Sequence, residues 1–349
     1  MSQSNQDFLN NVLQKLHGNL EAKFKKFVDD QVRAIEETKV KIKKRKGVIH
    51  FIRIFPHFTT AVENMLATSD PHLPIRRMVD REYDRILKSM FDSLKIIARE
   101  NPAMGTATTA ASATAGSGAH SILSVSTTTT GSHHHSAVAD PEDKEALNFH
   151  ILLIENMNHF LEEVDNRAGL EVLDDWREAA QREMQEHLGM YLNAVMRRPL
   201  GKLLEHLENV EAQLASGKVA PGSVASQPSN SKQVFNKVLG GYDGREVRKG
   251  IEALRKRVEK HFGGEDAPEA GGLAAMPGNA VGAGVPGRQV NGGGVVNNHL
   301  VNRVLRECEK FYGDVEMRVG RVTTEVYGGD VLFEWPRAEV KAAFSSVGR

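Results

Sequence analysis

The chain has 349 residues, with 45 Lys and Arg against 45 Asp and Glu, so its formal net charge is zero, which argues against a dedicated nucleic-acid binder. Hydrophobic residues at 40% and charged residues at 26% make a globular mixture, and aromatics at 6% suit Leu- and Val-rich helix packing better than a β-sandwich core. One cysteine, Cys308, excludes an intrachain disulfide framework and favours a reducing compartment.

The stretch Met1 to Lys15 is mostly polar and lacks the apolar core of a signal peptide. The longest aliphatic run, Ile151 to Ile154, falls far short of the ~20 residues that a membrane span needs. These features predict a cytoplasmic protein whose membrane contact, if any, is peripheral.

From Asn5 to Lys46, Phe8, Val12, Leu16, Leu20, Phe24, Phe27, Val28, Val32 and Ile35 recur at steps of three and four, the stripe of a long helix. Gly47 marks its stop. The β-branched run Val48 to Phe55 has no second strand to pair with, so it reads as buried helix broken at Pro56. A helix follows with Phe58, Val62, Met65 and Leu66 inward, closed by Pro71 and Pro74. Ile75 to Arg99 is amphipathic through Met78, Val79, Tyr83, Ile86, Met90, Leu94 and Ile97.

Residues 101–140 change abruptly to Ala, Thr, Ser and Gly and predict a disordered linker. Helical pattern resumes near Pro141 with Leu147, Ile151, Ile154, Met157, Phe160, Leu161 and Val164. A second helix, Leu170 to Arg197, carries Leu173, Trp176, Met184, Leu188, Tyr191, Leu192 and Val195, with Trp176 expected inside the core. Pro199 and Gly201 predict a kink or restart before Leu203, Leu207, Val210 and Leu214. A Gly/Pro/Ser linker is expected at 216–230, then a short helix from Ser231 to Leu239 and a basic helix from Arg245 to Phe262. Residues 263–297 form a second low-complexity linker. Leu300, Val304, Cys308, Phe311, Val315, Val319, Val322 and Val326 mark a further long helix, and Pro336 fits the first turn of a terminal one.

Few motifs point to chemistry. Gly282-Ala283-Gly284-Val285-Pro286-Gly287 matches G-x-G-x-x-G, but no strand precedes it and no helix starts after it, so a phosphate cradle is not expected. His133, His134 and His135 have no other ligand types spaced around them. Glu162, Glu163, Asp165, Asp174, Asp175 and Glu178 alternate with apolar positions, as a solvated helix face does. No nucleophile elbow, Walker loop or H-E-x-x-H is present. Neither a catalytic site, a cofactor, a metal nor a small-molecule substrate is expected.

Two basic clusters remain. Lys39, Lys41, Lys43, Lys44, Arg45 and Lys46 close the first helix, where the helix dipole favours positive charge without any partner. Arg245, Arg248, Lys249, Arg255, Arg257 and Lys260 share one later helix and are the candidate contact with anionic lipid. Glu246, Glu252 and Glu259 on the same helix favour the rival reading of a solvated, internally paired face.

Phe55-Pro56-His57-Phe58 with Val62 to Leu66, then Asn148 to Ile151 and Ile154 to Phe160, resemble the C-terminal region of the exocyst subunit component one, the Sec-three type. Glu246 to Ile251 with Arg257 to Phe262 is similar to the closing helices of that subunit in fungi. The resemblance covers most of the chain outside the low-complexity stretches. It implies a structural role, with the other exocyst subunits as partners, in a complex that docks secretory vesicles at the plasma membrane. It also implies that the family's N-terminal lipid- and GTPase-binding domain and coiled coil are missing here, so that Met1 begins a partial product.

The expectation is therefore an all-α chain of stacked helical bundles forming part of an elongated rod, with long disordered linkers. Its segments are 1–100, 141–262 and 298–349. The alternative is a coiled-coil or cytoskeletal adaptor, which the interruptions at Pro56, Pro71, Pro74 and Pro199 disfavour. An enzyme would need a pocket with convergent polar groups.

Overall fold

The computed structural model describes residues 2–41, 47–70, 72–99, 141–217, 220–263 and 298–345. Among them there are ten α-helices and no strand. These are α1 (Ser2–Lys41), α2 (His50–Leu66), α3 (Pro74–Arg99), α4 (Pro141–Asp165), α5 (Asp174–Ala215), α6 (Pro221–Ala225), α7 (Lys232–Leu239), α8 (Gly244–Phe262), α9 (Asn298–Glu325) and α10 (Arg337–Ser345). The low-complexity stretches expected as linkers at 101–140 and 263–297 lie outside the described residues, as do His133 to His135 and the glycine motif at 282–287. The chain divides into two compact units, 1–153 with 159–179 and 154–158 with 180–349.

In the first unit, α3 is the central element, and every apolar residue expected on its inner face is buried, from Met78 to Ile97. Val28 and Ile35 of α1 and Ile52 and Phe55 of α2 are buried as well. Tyr83 meets Phe55 and Phe58 edge-on, both at 6.2 Å between ring centres. Its hydroxyl donates to the Glu63 carboxylate at 3.0 Å, and Arg76 pairs with the same carboxylate. Arg85 of α3 reaches Asp29 of α1 at 2.6 Å.

Two expectations fail on α2. Pro56 does not break it, because the helix runs through to Leu66. An interior proline costs about 3 kcal/mol through its lost N–H and ring clash. Here Pro56 is itself buried, beside Ile52, Phe55 and Thr59, so continuing the helix keeps that apolar face in the core. Met65, expected inward, is 77% exposed. At Pro199 the helix does not restart, since α5 runs from Asp174 to Ala215 with the proline inside it.

Trp176 is half-buried rather than enclosed. Its ring packs edge-on to Phe91 at 5.3 Å, while its indole N–H donates to Asp84 at 2.8 Å. An amphipathic ring with an outward polar tip is held this way when one edge meets core and the other meets water.

In the second unit, the buried faces of α5, α8, α9 and α10 come together. Val247, Ile251, Leu254, Val258 and Phe262 of α8 are all buried. Tyr191 of α5 packs on Phe262 at 5.1 Å, and Tyr312 of α9 packs on Phe344 of α10 at 5.7 Å. Gly250 allows the close approach of α8 to α5, since a Cβ there would stand 3.2 Å from Cβ of Pro199. The segment 216–230, expected as a linker, carries α6 and a 3-10 turn and buries Val224 and Asn230 completely.

Phe235 of α7 is sandwiched between His206 and Tyr327, each ring 4.9 Å away and nearly parallel. Tyr327 donates to the Asn230 carbonyl at 2.8 Å, and its hydroxyl lies 3.2 Å from Nε2 of His206. Burial depresses the His206 pKa, because a charged imidazolium would lose its hydration there. The sign follows: the unfolded chain takes up a proton near the ordinary histidine value of about 6.5, and the native state resists it. Stability of the second unit should therefore fall as pH is lowered from about 7 through that value. Denaturant midpoints measured along the pH series check this. A His206→Phe variant should show a flatter profile, and an unchanged slope would assign the dependence to other groups.

Candidate interaction surfaces

The basic helix α8 begins with a helix cap, in which the Asp243 carboxylate accepts from the Glu246 N–H at 2.8 Å. Apolar residues at three- and four-residue spacing then turn one face into the second unit and leave the charged residues around the remainder. The six candidate cations separate into three pairs. Arg245 and Lys260 stand exposed. Arg248 pairs with Glu252 at 3.1 Å and Lys249 with Glu246 at 2.6 Å. Arg255 turns inward and donates to the Ala343 carbonyl of α10 at 3.1 Å. Arg257 is half-buried, and desolvation, reinforced by the nearby charge of Arg198, pushes its pKa below the ordinary range. Lys256, which the spacing argument passed over, is exposed on the same helix. Such a surface can offer a diluted positive field but no convergent grip on a single ligand. The first basic cluster, from Lys39 to Lys46, has side chains outside the described residues.

Elsewhere, charge locks helices together. Glu211 of α5 accepts from Arg318 at 2.7 Å and Arg321 at 2.6 Å, both on α9, and the Arg318 hydrogen bond is the main cause holding its carboxyl below the usual range. Arg337 of α10 grips Glu316 at 2.7 Å. The carboxylates weighed for catalysis lie on solvated faces: Glu163 pairs with Arg167, and Asp165 and Asp174 both face Arg177. Among the described residues no cluster of three His, Cys, Asp or Glu side chains could hold a metal, and no helix is long and apolar enough to cross a membrane. Cys308 is fully buried, and desolvation pushes its thiol up to about 12, which keeps it from acting as a thiolate near neutral pH.

Sequence reasoning missed an apolar surface in the first unit. A groove of about 270 Å³ is lined by Phe27 and Ile35 of α1, Phe51, Ile54 and Phe58 of α2, and Met90 of α3. Phe27 is 42% and Ile54 45% exposed. The apolar stripe of α1 was visible in the sequence, but its period could not distinguish a face covered by neighbours from a face left open. A groove of this kind can hold apolar side chains of another polypeptide and has no pair of titratable groups for acid–base work.

Residues 1–329 match the family model described as exocyst complex component Sec3, C-terminal. The chain is 24% identical over 255 residues to exocyst complex component 1 of Mus musculus, covering 73% of this chain and 23% of the relative. It is 24% identical over 245 residues to exocyst complex component 1 of Drosophila melanogaster, covering 70% of this chain and 22% of the relative. The chain thus spans less than a quarter of the length of the curated relatives it matches. No solved structure matches it.

Proposed function

The chain belongs to the family of the C-terminal region of exocyst complex component Sec3, and from that premise we propose that it is a structural, non-catalytic helical subunit of the exocyst, acting in the docking of secretory vesicles at the plasma membrane during exocytosis. The observation that carries this reading is the family match across residues 1–329, which takes in the first helical unit and all of the second except residues 330–349. The helical build of the described residues supports it, since exposed helix faces can pack against helices of another subunit. Its partners are the other exocyst subunits, and its place is the cytoplasm, peripheral to the plasma membrane at sites of polarised secretion. Affinity purification of the tagged chain from cells, followed by mass spectrometry, should recover other exocyst subunits in defined proportion. Their absence, with the chain folded by circular dichroism, would overturn the reading.

The proposed contact with anionic lipid rests on α8. Arg245, Lys256 and Lys260 supply exposed charge, whereas Arg248 and Lys249 are engaged by carboxylates and Arg255 and Arg257 turn inward. Binding should be weak and electrostatic and should fade with salt, as the screening length shortens to about 3 Å at 1 M. A variant with Arg245→Glu and Lys260→Glu should pellet several-fold less with liposomes containing a polyphosphoinositide at low salt. Equal pelleting of variant and parent would remove α8 as the contact.

A further inference from the structure

Eleven residues of straight α-helix rise about 16–17 Å, more than an arginine and a glutamate can bridge with both side chains fully extended and a hydrogen bond between them. Within α5, Arg197 nevertheless reaches Glu208 at 3.1 Å. The ends of that span are therefore drawn together, and α5 is bent toward the Arg197 side. Pro199, inside the span, lies on the opposite face: at about 100° per residue it stands roughly 160–180° round the helix from both partners. A bend away from the proline is the expected direction, because the ring pushes against the carbonyl of Val195 and opens the hydrogen-bond ladder on its own side.

The opened side is occupied. The Leu203 N–H, which a regular helix gives to the carbonyl of residue 199, donates to the hydroxyl of Tyr242 at 3.1 Å. The same hydroxyl faces the N–H of Lys202. Tyr242 is buried and stands in the short connection between α7 and α8, one residue before the Asp243 cap. Gly250 of α8 leaves room for the Pro199 ring on this side of α5.

We propose that Tyr242 is the positioning residue that sets the bend of α5: the proline opens the ladder, and the tyrosine hydroxyl, inserted where the Pro199 carbonyl would accept, holds it open. A side chain inserted into the ladder is a recognised cause of a kink. The Arg197–Glu208 pair records the bend rather than making it, since the side chains are 57% and 47% exposed and solvent leaves such a pair little net strength. The bend matters to the second unit because α5 meets different partners on either side of it. Before Pro199, Tyr191 packs on Phe262 of α8. After it, His206 stacks on Phe235 of α7, and Glu211 grips Arg318 and Arg321 of α9. The connection that carries Tyr242 thus aims the second half of α5 at α7 and α9.

The test is the distance between spin labels on Met190→Cys and Ala212→Cys, two exposed positions on the Arg197 side of α5 that flank Pro199. Cys308 is fully buried and stays unlabelled. A straight helix sets the two positions about 33 Å apart, and the parent chain should give a shorter distance by pulsed electron paramagnetic resonance. Tyr242→Phe, which keeps the ring and removes only the hydroxyl, should lengthen it by several ångströms with unchanged far-UV circular dichroism. Arg197→Gln, a surface change, should leave it as in the parent. A pair confined to the first arm, Gln181→Cys with Ala194→Cys, should respond to neither variant. A parent distance at the straight-helix span overturns the proposal, as does Tyr242→Phe with the parent's distance. Straightening by Arg197→Gln alone overturns it by assigning the bend to the surface pair. A matching change in the 181–194 distance overturns it too, since that would be loss of helix rather than of bend.

Discussion

Truncating Phe235 to alanine is expected to destabilise the second unit by about 3–5 kcal/mol, the range for a fully enclosed aromatic. Phe235 has no exposed surface, and both of its faces are occupied, by His206 at an interplanar angle of 12° and by Tyr327 at 15°. Removing the ring therefore leaves a cavity between two rings held by the Asn230 and Tyr327 hydrogen bonds. Phe235→Leu should cost less, since it keeps most of the volume. The chain has two tryptophans, Trp176 in the first unit and Trp335 in the second, so each unit can be followed separately. In a Trp176→Phe background, the denaturant midpoint from Trp335 fluorescence reports the effect. A loss below about 1 kcal/mol would mean that the pocket collapses around the deletion.

The second large effect is expected at Glu63 in the first unit. Its side chain is 12% exposed and that of Arg76 21%, so neither charge is freely hydrated. Glu63→Leu strands the Arg76 guanidinium and removes the acceptor of the Tyr83 hydroxyl, which burial, followed by the Glu63 charge, holds protonated. Breaking one side of such a pair should cost about 2–4 kcal/mol. The upper end is tempered by Asp80, whose carboxylate lies 3.5 Å from Arg76 and retains part of the compensation. Replacing both partners, as Glu63→Leu with Arg76→Met, should recover a good part of the loss, because no charge is then left unpaired. Trp176 fluorescence in a Trp335→Phe background provides the readout. A double variant no more stable than Glu63→Leu would show that the Tyr83 hydroxyl, not the Arg76 charge, carries the cost.

The sequence by itself determined the helical class and the inner faces of α3, α4 and α9. Nearly all the apolar positions expected on these helices are buried, Phe311 being the half-exposed exception. The physical reason is local: a 3.6-residue period fixes which side chains share a face whatever that face meets. The resemblance at Phe55 to Leu66 and Asn148 to Phe160 likewise needed only the linear order of residues. Tertiary structure decided the rest. Pro56 and Pro199 remain inside helices because burial of the surrounding face offsets a local penalty that sequence reading weighs alone. Trp176 rests at an edge because Asp84, distant in sequence, takes its N–H. Arg255 turns inward because the carbonyl of Ala343 on α10 is there to receive it. The stripe of α1 is continuous in the sequence, yet among the described residues only its second half is buried, because periodicity says that a face is apolar and only the arrangement of the other helices says what lies against it.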